Sequence, residues 1–205
     1  MVSIRNWLDL LFPPRPDELV VREISTDTFI ASLTPKLATV TRPETVVLFS
    51  FSDPAVRSTI HEAKYHGSEQ AFELLATALA EYLQERNGSG VETIIVPVPL
   101  GEKRFRERGF NQVEEVIRRA TRRTGQTVDA TILQRIRETE SQIALPRHAR
   151  EENMRGAFKT RHSIDPTYTY MVIDDVVTTG ATLQAAIDAL KEAGAKHIIP
   201  LALAH

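Results

Sequence analysis

The chain has 205 residues, 42% of them hydrophobic and 25% charged, with a formal net charge of −2. Those proportions are the ones of a soluble globular protein, one domain of ordinary size with a small appendage. No long uncharged apolar run is present, which argues against membrane insertion, and zero cysteines exclude disulfides and zinc held through cysteine.

Residues 1–55 are expected to form an irregular N-terminal appendage or hood, and residues 56–205 the main domain. The opening Met1–Phe12 is apolar, but Asp9 interrupts it and no small-residue cleavage site follows, so a cytoplasmic location is expected. Trp7, Leu8, Leu10, Leu11 and Phe12 suit one short amphipathic turn, which Pro13-Pro14-Arg15-Pro16 cannot continue. Glu18–Ile24 and Thr45–Phe51 read as strands by β-branched content. Pro54–Gly67 has helical spacing and a terminal glycine, and Ser68 caps a second helix carrying Phe72, Leu75, Leu79 and Leu83 on one face. Asn87-Gly88-Ser89-Gly90 closes that helix. His61 and His66, five residues apart, do not share a helix face by spacing and are not read as a metal pair.

Thr93–Pro99 is the next buried strand, with pairing expected to fail near Pro97 because proline has no N–H to donate. A basic loop from Leu100 to Gln112 leads into a helix with Val113, Val116, Ile117 and Ala120. From Glu102 to Arg123 basic residues outnumber acidic ones by eight to four, a pattern suited either to phosphates or to ion-paired helix surface. Ala130–Ile136 reads as a strand, and Arg137–Glu152 as a long polar segment of the kind that forms lids. Gly156-Ala157-Phe158-Lys159 starts a further strand; a helix over 182–193 and a strand over His197–Ala204 close the chain. Alternating strands and helices predict an α/β fold, a parallel sheet with helices on both faces.

The stretch Tyr170–Thr182 carries the most chemistry. A doubly buried strand ends in Asp174-Asp175, followed by Val176-Val177-Thr178-Thr179-Gly180-Ala181-Thr182 and a helix. A glycine turn at a helix N-terminus offers backbone N–H groups and a positive dipole end to a phosphate. Two carboxylates at the carboxyl end of the strand accept hydrogen bonds from hydroxyls, so the run reads as a sugar-phosphate site.

This run resembles the phosphoribosyl-pyrophosphate (PRPP) signature of the type I phosphoribosyltransferases through Thr182. The resemblance implies that fold, with Asp174 and Asp175 as the active-site acids on the ribose 2′- and 3′-hydroxyls. It implies that Val177, Thr178, Thr179, Gly180, Ala181 and Thr182 wrap the 5′-phosphate. Pro99, Leu100, Lys103, Arg104 and Arg106 would face pyrophosphate, with a cis peptide expected at Val96–Pro97 or Val98–Pro99. Mg2+ would come through PRPP and waters near Asp174 and Asp175 rather than through an all-protein cage.

A narrower resemblance is carried by Pro97-Val98-Pro99-Leu100, Arg104, Arg108-Gly109-Phe110-Asn111-Gln112, Thr139 with Gln142, Arg150, Asn153 and Gly156-Ala157-Phe158. Lys64-Tyr65-His66-Gly67 fits upstream. Their order and spacing resemble the ComF (late competence) family, but the four-cysteine zinc ribbon usual in that family is absent from this chain. Two functions follow. The first is a Mg2+-dependent phosphoribosyltransferase acting on PRPP or another phosphorylated ribose. The alternative is a non-catalytic protein of DNA uptake or handling that keeps the PRPP pocket and meets single-stranded DNA or DNA-uptake proteins. A receiver-type phosphoacceptor ranks last, since it does not explain the glycine turn. The sequence leaves the acceptor, if any, and oligomerisation open.

Overall fold

The computed structural model describes residues 13–86, 92–137 and 153–205. Its centre is a run of strands β1 (Lys36–Ala38), β2 (Thr45–Phe49), β3 (Thr93–Pro97), β4 (Thr127–Val128), β7 (Thr169–Val176) and β8 (His197–Ala204). They form one sheet in the order β1-β2-β8-β7-β3-β4. Every neighbouring pair is parallel except β1 with β2 at the edge. Two more strands, β5 (Leu133–Arg135) and β6 (Phe158–Thr160), pair antiparallel in a separate small sheet.

Helices cover both faces, as strands buried on both sides require. On β7 the period of two is explicit. Met171 and Ile173 join the core formed with α3 (Pro54–His66), α4 (Glu69–Arg86) and α6 (Gln112–Thr124). Tyr170 and Val172 join the opposite core, with α7 (Ala181–Glu192) and the β5–β6 pair. By this alternation the strand sends Asp174 and Asp175 to opposite faces at its carboxyl end. The ladder runs through Pro97, whose register partner is Ile173, and the Val98 N–H then donates to the Ile173 carbonyl at 2.9 Å. Proline therefore marks the strand end without displacing it.

Several expectations are corrected. Glu18–Ile24 is not a strand: Pro16–Glu23 is a helix, α1, followed by a short helix α2 (Thr26–Ala31). Pro16 at the first turn, Asp17 and Glu18 beside it and the Glu18–Arg22 ion pair one turn on favour helix over the β-branched content. The basic loop contains a helix of its own, α5 (Glu102–Arg108), ended by Gly109 at φ +80°. Neither Val96–Pro97 nor Val98–Pro99 is cis; the cis bond among the described residues is Arg42–Pro43. The imidazoles of His61 and His66 do meet, with ring centroids 5.9 Å apart. The N-terminal turn over Trp7–Phe12, the Asn87–Gly90 turn and nearly all of the expected lid lie outside the described residues. Strands over 45–49 and 197–204 and helices over 54–66, 69–86 and 181–192 follow the sequence pattern.

A strap formed by residues 39–44 crosses the N-terminal end of α7. The Arg42 N–H donates to Gln184 Oε1 at 2.7 Å, and Lys191 Nζ donates to the Arg42 carbonyl at 2.9 Å. Gly180 permits this approach: a Cβ there would lie 2.2 Å from the Val40 carbonyl oxygen. Gly125 has the same φ of +78° with nothing within 4 Å of its absent Cβ. Gly125→Ala therefore isolates the backbone cost, about 1 kcal/mol, whereas Gly180→Ala adds the clash with the strap. Urea unfolding is expected to show at least twice the loss for Gly180→Ala; equal losses would mean that the strap yields freely.

Candidate functional site

Asp175 is the buried polar centre of the carboxyl edge. Its residue is 7% exposed. Lys64 Nζ lies 2.9 Å from Asp175 Oδ2, and Gln112 Nε2 donates to the same oxygen at 2.7 Å. The Val176 N–H donates to Oδ1 at 2.7 Å. Burial pushes this carboxyl up, but the Lys64 ammonium and these donors pull it below its ordinary range. The partner shift agrees in sense: burial works against the Lys64 charge, yet Asp175 holds it above the usual lysine value.

Asp174 is only partly buried, and its Oδ1 accepts from the Asp175 N–H at 2.9 Å. Burial and the adjacent Asp175 charge push its carboxyl up to about 7. The two neighbouring carboxyls are thus pushed in opposite directions, Asp175 toward its ionised and paired form and Asp174 toward its protonated form.

The run Arg108-Gly109-Phe110-Asn111-Gln112 builds the wall of the site residue by residue. Arg108 Nη1 donates to Gln112 Oε1 at 2.9 Å. Because arginine can only donate, this contact turns the Gln112 amide so that its NH2 faces Asp175. The guanidinium also packs over the Tyr65 ring at 5.2 Å. Phe110 meets Phe72 edge-on at 5.6 Å and lies against Gly67. Asn111 caps α6 through Val113 N–H, while its Nδ2 donates to the Val98 carbonyl at 3.0 Å and ties the Pro97-Val98-Pro99 turn to that helix.

After β7, Val177 is buried, Thr178 exposed and Thr179 intermediate; Gly180 is the N-cap of α7, without a side-chain cap bond. Ala181 and Thr182 open the helix, with Ala181 N–H near Thr179 Oγ1 at 3.4 Å. On the other side, Pro99 and Leu100 are half-buried ahead of α5. That helix divides the basic run by face. Arg104 and Arg108 are one turn apart, and the Arg104 charge is felt at Arg108. Arg106 instead shares a cleft of about 330 Å³ with Pro99, Leu100, Glu102, Phe105, Leu133 and Arg161. Lys103 is exposed.

Much of the remaining positive charge is consumed in structure. Arg119 meets Glu69 and Glu73, Arg123 meets Glu73, and Arg118 meets Glu114. Gln142 and Arg150 lie outside the described residues; Asn153 is described, its carbonyl accepting from Arg137 at 2.6 Å. Sequence reasoning missed the strap, since nothing around Val40 signals a contact with Gly180. It also left Tyr65 without a role, although its place between Lys64 and His66 was the available signal.

A parallel sheet carrying paired acids at its carboxyl edge, followed by a glycine turn into a helix, defines a class, and the comparisons agree. The phosphoribosyl transferase domain profile matches residues 68–205, and the chain belongs to that family. It is 32% identical over 153 residues to the DNA utilization protein YhgH of Salmonella typhimurium, covering 72% of this chain and 67% of that one. It is 31% identical over 106 residues to Competence protein F of Haemophilus influenzae, covering 51% and 46%. The ComF resemblance therefore holds. Among solved structures it is similar to an adenine phosphoribosyltransferase from Leishmania tarentolae, at TM-score 0.44 and 15% identity over 81% of this chain and 79% of that one. No helix among the described residues is long and apolar enough to cross a membrane.

Two predictions follow from the acid pair. Lys64→Met strands the buried Asp175 carboxylate and is expected to cost about 3–5 kcal/mol in chemical denaturation. Adding Asp175→Asn should recover most of that loss, and additive losses would contradict the pairing. For Asp174, the fold holds a proton that the unfolded chain releases near 3.8. Wild-type stability contributed by this group therefore falls as pH rises from about 4 to about 7. The advantage of Asp174→Asn over wild type should grow across that window and level off above it; a constant difference would refute the shift.

Proposed function

We propose that the protein binds PRPP with Mg2+ at the carboxyl edge of the sheet and transfers its phosphoribosyl group, releasing pyrophosphate. The observation that supports it best is the end of β7, where Asp174 and Asp175 stand directly before a turn whose glycine is the bare N-cap of α7. In this reading the ribose hydroxyls donate to the two acids, and the 5′-phosphate lies on the amides of residues 178–182, the Val177 N–H being donated to the Ala204 carbonyl at 2.9 Å.

The donor set suits the metal: carboxylates at the strand tip are hard oxygen groups, and Lys64 neutralises only one of them. Mg2+ would be held through PRPP oxygens and waters beside Asp174 and Asp175, and when bound supplies charge that offsets the diphosphate. During transfer the bond from C1 to the pyrophosphate oxygen breaks, the electron pair leaves with pyrophosphate, and the acceptor bonds to C1. The chain's part is to hold the ribose still and to stabilise the departing anion with Lys103, Arg104 and the amides after Pro99. Arg106 would serve the same anion from the cleft that Pro99 and Leu100 also line.

The names of the relatives and that cleft support a second reading, in DNA handling. Phe105 is 50% exposed there, and Arg106 and Arg161 line the same space, a stacking ring beside cations. Single-stranded DNA affinity should then fall with salt at a log–log slope near −0.7 per phosphate contact. Absence of binding at low salt would remove this reading.

The primary reading is tested by calorimetry with PRPP and Mg2+. Asp174→Asn and Asp175→Asn should each weaken binding by about ten- to a hundredfold or more, the worth of one charge-assisted contact. Unchanged affinity in both would reject the ribose role. Pyrophosphate release against a panel of bases and amines decides whether transfer follows.

A further inference from the structure

The last turn of α3 gathers a second set of groups beyond Lys64. Glu62 has a side chain only 1% exposed, and His66 Nε2 lies 3.9 Å from its Oε1. His61, Glu62 and His66 each offer a ligand atom, and these atoms lie within 4.8 Å of one another. Three nitrogen and oxygen ligands around zinc at about 2.0–2.2 Å stand roughly 3.4 Å apart, so the set has to draw closer by about 1 Å to hold an ion.

The surroundings orient it. Asp17 Oδ2 lies 2.9 Å from His61 Nδ1, and Ser58 Oγ donates to Asp17 Oδ1 at 2.7 Å. A carboxylate facing Nδ1 fixes the neutral imidazole with its proton on that nitrogen, which leaves the Nε2 lone pair outward. Carboxylate–histidine pairing of this kind is the usual support of a metal-binding imidazole. Arg15 forks onto Glu62, with Nε at 3.0 Å from Oε1 and Nη2 at 2.8 Å from Oε2. Each carboxylate oxygen keeps a further lone pair, so this fork orients the acid and leaves Oε1 able to bind again.

We propose that His61, Glu62 and His66 form a binding site for a borderline divalent transition ion such as Zn2+, completed by water and supported by Asp17 and Arg15. Two imidazoles and one carboxylate favour such an ion over Mg2+. Arg15 and Asp17 lie at the start of α1 and the ligands on α3, so a bound ion would sit where α1 meets the helix that carries Lys64. The site is independent of the sugar-phosphate reading.

The test is a Zn2+ titration of the full chain by calorimetry, with Mg2+ as competitor. One ion should bind and excess Mg2+ should leave it in place. His66→Ala, at a residue with a 33% exposed side chain, and His61→Ala should each abolish binding. Asp17→Asn should weaken it by about 10–100-fold. In the wild type, the Nε2 resonances of His61 and His66 should both shift on Zn2+ addition in a proton–nitrogen correlation spectrum. No binding by wild type, retained affinity in either histidine variant, or shifts confined to other histidines would overturn the proposal.

Discussion

A carboxylate taken out of water must find a cation and donors, and at Asp175 that need organises the carboxyl edge of the sheet. Lys64 comes from the last turn of α3, Gln112 from the first residue of α6 and the third donor from β7 itself. One side chain therefore fixes the relative positions of two helices and the central strand. Arg108 extends the constraint, since its contact with Gln112 sets the amide orientation and its ring partner Tyr65 neighbours Lys64. The unpaired alternative, an ionised Asp175 without Lys64, is several kilocalories away. That penalty makes the arrangement specific.

With Asp175 so engaged, the two acids divide the work. Asp175 is a structural anion that still faces the edge, whereas Asp174 sits on the other face with its proton loosely held. The strap at residues 39–44 adds a second constraint. It brings the Val40 carbonyl against Gly180, so the turn that starts α7 is held from outside as well as by its own chain. Of the two roles open to the basic charge on α6, Arg119 and Arg123 take the ion-paired one and fasten α6 to α4.

Much of this was legible in the sequence, and the exceptions have physical causes. β7, α7 and β8 were readable because their period, capping glycine and polar tip all point the same way. α1 was misread because Leu19, Val20 and Val21 look like strand, while Pro16 and the Glu18–Arg22 pair decide otherwise through interactions that content alone does not weigh. The place of Asp174 and Asp175 at the end of β7 was visible, but not the opposite shifts of their carboxyls. Those depend on Lys64, 111 positions upstream of Asp175, which only tertiary packing brings near. The meeting of His61 and His66 was not visible in their five-residue spacing, because spacing along a helix does not record the reach of the side chains. The cis expectation failed at both bonds: at Pro97 the ladder simply continues, with the Val98 N–H donating to the Ile173 carbonyl.

The central claim is that the end of β7 grips a pentose phosphate. A crystal structure with ribose 5-phosphate tests it most directly. The account predicts the phosphate against the amides of residues 178–182 and the sugar hydroxyls within hydrogen-bond distance of Asp174 and Asp175. A phosphate seated in the Phe105–Arg106–Arg161 cleft, with the two acids untouched, would contradict it.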